Sequence, residues 1–305
     1  MNAEQRQRYA GTLKHPDTEE TLDLWFYRPV GFRCALVAER WGWHPNAITV
    51  LSILFGVACG VCCYPADVRI NMLGILLLVV ADIGDSADGQ LARLTGKYSR
   101  LGRILDGAAG DLWFISIYVA LCLRLTPQWG AWIWLLAVAA GACHSVQCAM
   151  ADYYRNIHLF FAKGRKGSEL DDAAAVAREY RALSFRREPV YKFFMFFYRN
   201  YTRQQEALTP RWQRLRAALG RRYGDRPVDA DFAGRFRRGS LPLMPLANLL
   251  TFNSRAITLC ASLLLGMPWL YFAVELTLGN LLLLVMVGRH ERLCRRMAGE
   301  EGVGA

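Results

Sequence analysis

Histidine is scarce in this sequence, five in 305 residues, and none stands at zinc-ligand spacing from its one C-x-x-C. Cys59 and Cys62 form a C-x-x-C followed directly by Cys63, but they lie in the apolar run FGVACGVCCY and no second pair exists. Cys34, Cys122, Cys143, Cys148 and Cys260 are scattered through apolar or interfacial segments, where a small apolar side chain needs neither redox chemistry nor a metal. The cysteines are therefore not read as a site. Acidic residues are outnumbered, 26 against 37 Lys and Arg. Internal repeats and low-complexity tracts are absent, so a solenoid is not expected. The first twenty residues, MNAEQRQRYAGTLKHPDTEE, are polar, which argues against a cleaved secretory signal.

Apolar residues, by contrast, make up 53% of the chain and fall in blocks. Segments long enough to cross a bilayer core, roughly 20 residues, can be drawn at 47–65, 70–93, 102–123, 130–152, 243–266 and 268–289. The expected fold is all-α and polytopic, with six transmembrane helices. With the N-terminus inside, the cytoplasmic segments carry Arg28, Arg33, Arg40, Lys97, Arg100, Arg103, twenty Lys and Arg between 153 and 240, and the tail RHERLCRRM. The opposite loops carry only Arg69 and Arg124. That asymmetry predicts an N-in, C-in topology. The net charge of +11 then reads as juxtamembrane Arg near anionic lipid head groups rather than as a nucleic-acid surface.

Five parts follow from this layout. Residues 1–43 form a cytoplasmic or interfacial segment, with an interfacial helix expected to be interrupted at Pro29-Val30-Gly31. Residues 44–152 hold the first four spans, opened by HPNAIT. Residues 153–240 form a basic cytoplasmic helical insertion expected to lie on the membrane, with too few buried-type residues for a core of its own. Residues 241–290 hold spans five and six, and 291–305 the cytoplasmic tail.

Between two of the most apolar blocks stands DIGDSADGQLARLTGKYSRLGRILDGAAGD, residues 82–111, with five aspartates. Ionisable groups at membrane depth are costly and usually mark a site or a pathway. Asp82, Asp85 and Asp88 are spaced i, i+3, i+6, so on a helix they form one stripe. Asp106 and Asp111 fall in the first turns of the next span. A helical hairpin brings the two sets to similar depth near the cytoplasmic face. Clustered carboxylates repel unless a cation compensates. Two divalent ions would do so and would suit phosphoryl chemistry, and an all-oxygen set favours Mg²⁺ or Mn²⁺ over zinc. Gly89 and Ala92 leave room for a pyrophosphate, and Arg93 offers a planar donor fork to phosphate oxygens.

DSADGQLAR, eight further residues, and GRILD together resemble the signature of the CDP-alcohol phosphotransferase family, D-x-x-D-G-x-x-A-R-(x)8-G-x-x-x-D-x-x-x-D. Asp85, Asp88, Gly89, Ala92, Arg93, Gly102 and Asp106 match in place. HPNAIT is similar to the P-N-x-x-T that opens the first span in many members, giving Pro45, Asn46 and Thr49. The resemblance covers 44–152 and 243–290 and leaves out the basic insertion. It implies a membrane enzyme that displaces CMP from a CDP-linked donor by an alcohol, with two divalent cations held by Asp85, Asp88 and Asp106. It further implies CDP contacts from Asn46, Thr49, Gly89, Ala92, Arg93 and Gly102, and by default a homodimer. The fourth aspartate of the pattern, metal ligand and general base in the family, falls at 110, where this chain has Gly110; the nearest carboxylate is Asp111. A π-bulge between Asp106 and Asp111 would return Asp111 to the site as ligand and base. A regular helix would turn it about 100° away, and a catalytically dead relative is the third reading.

Asp82 lies outside the pattern, as an orienting acceptor or as a carboxylate neutralised by a neighbouring helix. His144 and Gln147 in the fourth span read as a satisfied structural pair before a substrate contact. Arg255 is expected either to meet an anionic acceptor or to snorkel from a helix start at Asn253-Ser254, and Arg103 is a weaker acceptor-phosphate residue. The expected donor is CDP-diacylglycerol and the acceptor a phosphorylated polyol such as inositol phosphate or glycerol phosphate, for phospholipid biosynthesis in a bacterial cytoplasmic membrane. Transfer of a CDP-ethanolamine or CDP-choline headgroup to diacylglycerol is the alternative within the family. A cation-coupled transporter would explain buried carboxylates but not the spacing of Gly89, Ala92, Arg93 and Gly102.

Overall fold

The computed structural model describes residues 3–164, 167, 168 and 170–300, and the side chains of these except 100, 101, 103, 104 and 300. Among the described residues there is no strand. The N-terminal part runs through α1 (Ala3–Thr12), a π-helical turn (Asp23–Tyr27), α2 (Arg28–Arg40), α3 (Pro45–Cys63), α4 (Val68–Thr95), α5 (Arg100–Trp129) and α6 (Trp132–Lys163). It continues with α7 (Ala173–Ala182), α8 (Pro189–Ala207), α9 (Pro210–Tyr223), α10 (Ala230–Ser240), α11 (Met244–Asn248), α12 (Phe252–Leu264), α13 (Trp269–Val274), a second π-helical turn (Glu275–Gly279) and α14 (Asn280–Glu300).

Five helical stretches are long and apolar enough to cross a membrane: Pro45–Cys63, Val68–Thr95, Leu105–Trp129, Trp132–Lys163 and Trp269–Gly299. The segment expected as a further span, 243–266, is not one helix. Pro245 starts the short α11, the chain turns over Asn248–Thr251 with Leu250 N–H on Ala247 O and Thr251 N–H on Asn248 O, and α12 restarts at Phe252. Its 13 residues reach only about 20 Å at 1.5 Å per residue.

The chain forms two compact units, one of 3–141 with 255–274 and the other of 142–254 with 275–300. In the first, the element boundaries follow from local chemistry. His44 Nδ1 accepts from Asn46 N–H (3.2 Å) and Pro45 occupies the first turn of α3, where a missing N–H costs nothing. Asp67 caps α4 through Arg69 N–H (2.7 Å), and Gly96 ends it at φ 66°, a left-handed position that suits glycine. Ser99 then caps α5 through Gly102 N–H (2.8 Å). Pro29 does not interrupt the interfacial helix as expected. It sits in the first turn of α2, and the irregularity lies just upstream in the π-helical turn.

α3 packs on α4 and α5, and α2 on α4. Small residues set the α3–α5 distance: a Cβ on Gly56 would stand 2.0 Å from Trp113 Cδ1, and one on Gly60 2.6 Å from the Ser116 backbone carbon. Gly56→Val is expected to cost about 1–3 kcal/mol or more by overpacking, whereas Gly107→Ala, with nothing within 4 Å of the added Cβ, should not destabilise. Thermal unfolding of the two variants in detergent checks the contrast; equal midpoints would show that the helices are not in this contact.

The core of the second unit is shared between the basic insertion and the helices on either side of it. The basic insertion does contribute to a core, because the apolar residues it lacks come from the ends of α6 and α14. Tyr153, Tyr154, Ile157 and Phe161 pack with Trp212, Leu215, Phe232, Phe236, Met286 and Met297 in one buried cluster. The aromatic run of α8 keeps Phe193, Phe196 and Phe197 exposed, as an interfacial helix would.

Candidate active site

The α4–α5 hairpin carries the acidic residues into one place. One carboxylate oxygen each of Asp85, Asp88 and Asp106 lies within 4.8 Å of the other two. Asp88 is 3% exposed, Asp85 half-buried and Asp106 exposed, so the group is anchored in the protein and open on the α5 side. Three like charges at that separation are unfavourable without a cation, and the donors are all hard carboxylate oxygens with no His or Cys among them. The residues present therefore fit divalent Mg²⁺ or Mn²⁺.

Each carboxylate has a local reason for its position. Thr49, 2% exposed on α3, donates its hydroxyl to Asp88 Oδ2 at 2.5 Å while also reaching Pro45 O at 3.3 Å. Its geometry is that of an orienting donor for Asp88, more than of the CDP contact the sequence suggests. Asn46, at the start of the same helix, accepts from Ser99 Oγ at 3.4 Å, and a Cβ on Gly102 would come 2.6 Å from Asn46 Oδ1. Asn46 and Gly102 are thus brought together beside the turn of the hairpin. Arg93 folds back over Gly89, whose added Cβ would stand 3.4 Å from Arg93 Nη2. The Arg93 Nε and Nη2 are buried and have no hydrogen-bond partner among the described residues. Buried donors left unpaired are costly, and an anionic oxygen is the partner they suit.

Asp111 is placed differently. α5 is α-helical without a break from Arg100 to Trp129, so the expected π-bulge is absent. The regular winding leaves Asp111 about 140° around the helix from Asp106. Asp111 is exposed and is not one of the three convergent carboxylates. Arg255 lies in the first turn of α12, in the same unit as the hairpin, and is 4% exposed, which does not suit a side chain snorkelling into solvent. The side chain of Arg103 lies outside the described residues. In the second unit, His144 Nδ1 stands 3.6 Å from Glu275 Oε1, and Gln147 donates to Glu275 O and Asn280 Oδ1, both at 3.0 Å, the arrangement of a satisfied structural pair. A further convergent trio, His290, Glu291 and Cys294, belongs to the core: Glu291 accepts from Arg211 N–H at 2.9 Å at the start of α9, and the His290 ring lies on Tyr154.

Sequence reasoning missed the N-terminal segment. Gln90 donates to Thr12 Oγ1 at 3.1 Å, Arg28 donates to Ser86 Oγ at 3.3 Å and to Glu19 Oε2 at 3.2 Å, and Gly31 approaches so closely that its Cβ would be 2.8 Å from Gln90 Oε1. Residues 12–31 are therefore docked along the face of α4 that carries Ser86 and Gln90, within the motif's own turns. Burial first, then the negative charges of Asp82, Asp23 and Glu20, push the Tyr27 phenol well above its ordinary range, so Tyr27 is a neutral hydroxyl beside Asp82. The available signal was Arg28-Pro29, a charge ahead of a helix-starting proline, read as interfacial.

Residues 43–160 match the family described as CDP-alcohol phosphatidyltransferase. The chain carries a CDP-alcohol phosphatidyltransferase domain. Among curated proteins, the chain is similar to a bifunctional IPC transferase and DIPP synthase of Aquifex aeolicus, 28% identical over 153 residues, 50% of this chain and 32% of the relative. A putative cardiolipin synthase of Mycobacterium tuberculosis is 37% identical over 60 residues, 19% of this chain and 29% of the relative. A cardiolipin synthase (CMP-forming) of Streptomyces coelicolor is 41% identical over 56 residues, 18% of this chain and 26% of the relative. The chain spans about a third or less of the length of these curated relatives. No solved structure matches it. The CDP-alcohol phosphatidyltransferase domain includes α3, α4 and α5, so the three carboxylates, Thr49 and Arg93 all lie inside it, whereas Arg28 and Glu19 precede it.

Proposed function

We propose that this chain is a membrane transferase that moves a substituted phosphate from CDP-diacylglycerol to a phosphorylated polyol, such as inositol phosphate or glycerol phosphate, with release of CMP. The observation that carries the reading is the convergence of Asp85, Asp88 and Asp106 next to the unpartnered donors of Arg93. The relatives named as cardiolipin synthases, one of them CMP-forming, support a phospholipid product.

Asp85, Asp88 and Asp106 would hold two divalent cations, which when bound would offset the charge of the pyrophosphate. Arg93 donates Nε–H and Nη2–H to phosphate oxygens lying over Gly89, where the absence of a side chain lets the ligand approach the backbone. Thr49 keeps the Asp88 carboxylate in one orientation. Asn46, Ala92 and Gly102 border the nucleotide. Arg255, buried and cationic, is the proposed contact for the acceptor's own phosphate, with Arg103 as a second. The acceptor oxygen forms the new bond to the β-phosphorus as the bond to the CMP oxygen breaks in line with it, and the hydroxyl proton passes to Asp111. That last role requires α5 to wind one residue differently around Gly107 and Gly110 while substrate is bound. The site faces the cytoplasm of a bacterial cytoplasmic membrane, both termini lie inside with the broken segment of α11 and α12 as the sixth crossing, and the functional unit is a homodimer.

The test is to incubate purified protein with CDP-diacylglycerol and a panel of polyol phosphates, and separately with CDP-ethanolamine or CDP-choline and diacylglycerol, reading CMP and lipid product. CMP release with the first donor, dependent on Mg²⁺ or Mn²⁺ and stopped by a chelator, is expected. Release only in the second arm would reverse donor and acceptor. Cation flux into vesicles with no CMP from any pair would replace the enzyme by a transporter.

A further inference from the structure

Arg28 stands outside the CDP-alcohol phosphatidyltransferase match, yet it is held on the helix that carries the motif. It is 8% exposed, and its partner Glu19 is buried with it. Nε donates to Glu19 Oε2 and Nη1 to Ser86 Oγ, the residue directly after Asp85. Among the described residues nothing accepts from its Nη2. Glu19 is itself fixed, since its Oε1 accepts from Lys14 N–H at 2.8 Å. The charge of Arg28 reaches Arg93, Asp82 and Asp106, and that of Lys14 reaches Asp82, Asp85 and Asp106.

Two guanidinium groups near each other repel, and one of them, Arg93, holds buried donors with no partner. Glu19 offsets one charge. A protein that holds a second buried Arg within charge range of an unsatisfied first one has prepared a place for an anion with several oxygens. Phosphate is the chemistry that satisfies both forks at once. The docking of residues 12–31 on α4, through Thr12, Gly31 and Arg28 itself, holds the second fork in position rather than leaving it on a loose terminus.

Resting on the phosphotransfer reading, we propose that Arg28 and Arg93 form a two-arginine clamp on a phosphate group beside the carboxylates, so that the N-terminal segment is part of the active site. The phosphate belongs either to the CDP-linked donor or to a phosphorylated acceptor, and both present the same non-bridging oxygens.

The experiment uses the full chain in nanodiscs and the variants Arg28→Gln, Arg28→Lys and Glu19→Gln. CDP binding is measured by calorimetry with Mn²⁺ present and no acceptor, initial rates are measured against donor and acceptor separately, and thermal midpoints are recorded. Losing a charge-assisted phosphate contact should weaken binding about tenfold or more. A rise in the CDP dissociation constant and donor KM of Arg28→Gln assigns the clamp to the donor; a rise confined to the acceptor KM assigns it to the acceptor. In both cases Arg28→Lys recovers part of the loss. Glu19→Gln, which leaves the fork in place, should change these constants by less than Arg28→Gln. The proposal is overturned if CDP affinity and both KM values of a folded Arg28→Gln stay within about twofold of the parent. It also fails if every loss tracks a lowered thermal midpoint that Arg28→Lys restores fully. A parent protein that neither binds CDP nor releases CMP sinks the phosphotransfer reading instead, whereas a parent that binds CDP and releases CMP, with CDP affinity and both KM values unchanged in Arg28→Gln, sinks only the clamp.

Discussion

Asp88→Asn should lower metal-dependent CMP release by roughly 1,000-fold or more, since the electrostatic help of a divalent site is worth several kcal/mol and each 1.36 kcal/mol is tenfold. The substitution is chosen because it changes charge and little else. Asn has the shape of Asp, and its amide oxygen can still accept from Thr49 Oγ1, which now bonds Asp88 Oδ2 at 2.5 Å. The fold should therefore survive. The sign of the stability change is part of the prediction. Asp88 sits with Asp85 and Asp106 inside 4.8 Å, so without divalent ions the variant loses a repulsion and should unfold at a temperature no lower than the parent. Added Mn²⁺ should raise the parent's midpoint, as any ligand specific to the folded state does, and raise the variant's much less. Equal Mn²⁺-dependent shifts in the two proteins would show that this trio does not hold the ion, and full CMP release by Asp88→Asn would remove it from the chemistry.

The parts of this molecule that were readable in the sequence are those written in contiguous residues. Asp85, Asp88, Gly89, Arg93, Gly102 and Asp106 fall on two helices joined by a short turn, so spacing along the chain translates directly into proximity. Five of the apolar blocks became long helices for the same reason: length and composition are local. The break at Asn248–Thr251 was less visible, because LPLMPLANLLTF is apolar throughout and Pro245 can open a helix as well as end one. Contacts between distant, polar segments were not visible. Thr12, Glu19 and Arg28 look like interfacial residues until α4 is seen to supply Gln90 and Ser86 as their partners. The second unit's core was hidden in the same way, since Trp212 and Phe236 stand in basic stretches that alone have too little apolar surface, and their partners Phe161 and Met286 come from α6 and α14, far away in sequence. Thr49 was recognised as part of the motif, but only its reach to Asp88 shows which atom it serves.

The second large effect concerns the proton of the attacking hydroxyl. Asp111→Asn is expected to lower kcat by about 100- to 10,000-fold with donor KM little changed, the range a positioned base contributes. The regular α5 places Asp111 on another face of the helix from Asp106, so the prediction commits to a local rewinding of one residue. The segment Gly107-Ala108-Ala109-Gly110 is the place for it: a Cβ on Gly107 or Gly110 would meet nothing within 4 Å, and glycine opposes an altered winding least. Divalent charge at the trio is what would draw a fourth carboxylate inward. The same open space provides the control. Gly110→Asp puts a carboxylate at the family's own position, about 40° around the helix from Asp106, without a clash and without any rewinding. In the Asp111→Asn background it should restore most of the lost rate. Recovery by the double variant would identify the missing group as a carboxylate needed at the site, whichever of the two residues carries it. Asp111→Asn turning over at the parent rate would mean that α5 stays regular in the reaction and that the proton leaves by another route. A folded double variant that remains inactive would mean that Asp111 is needed for something other than accepting that proton.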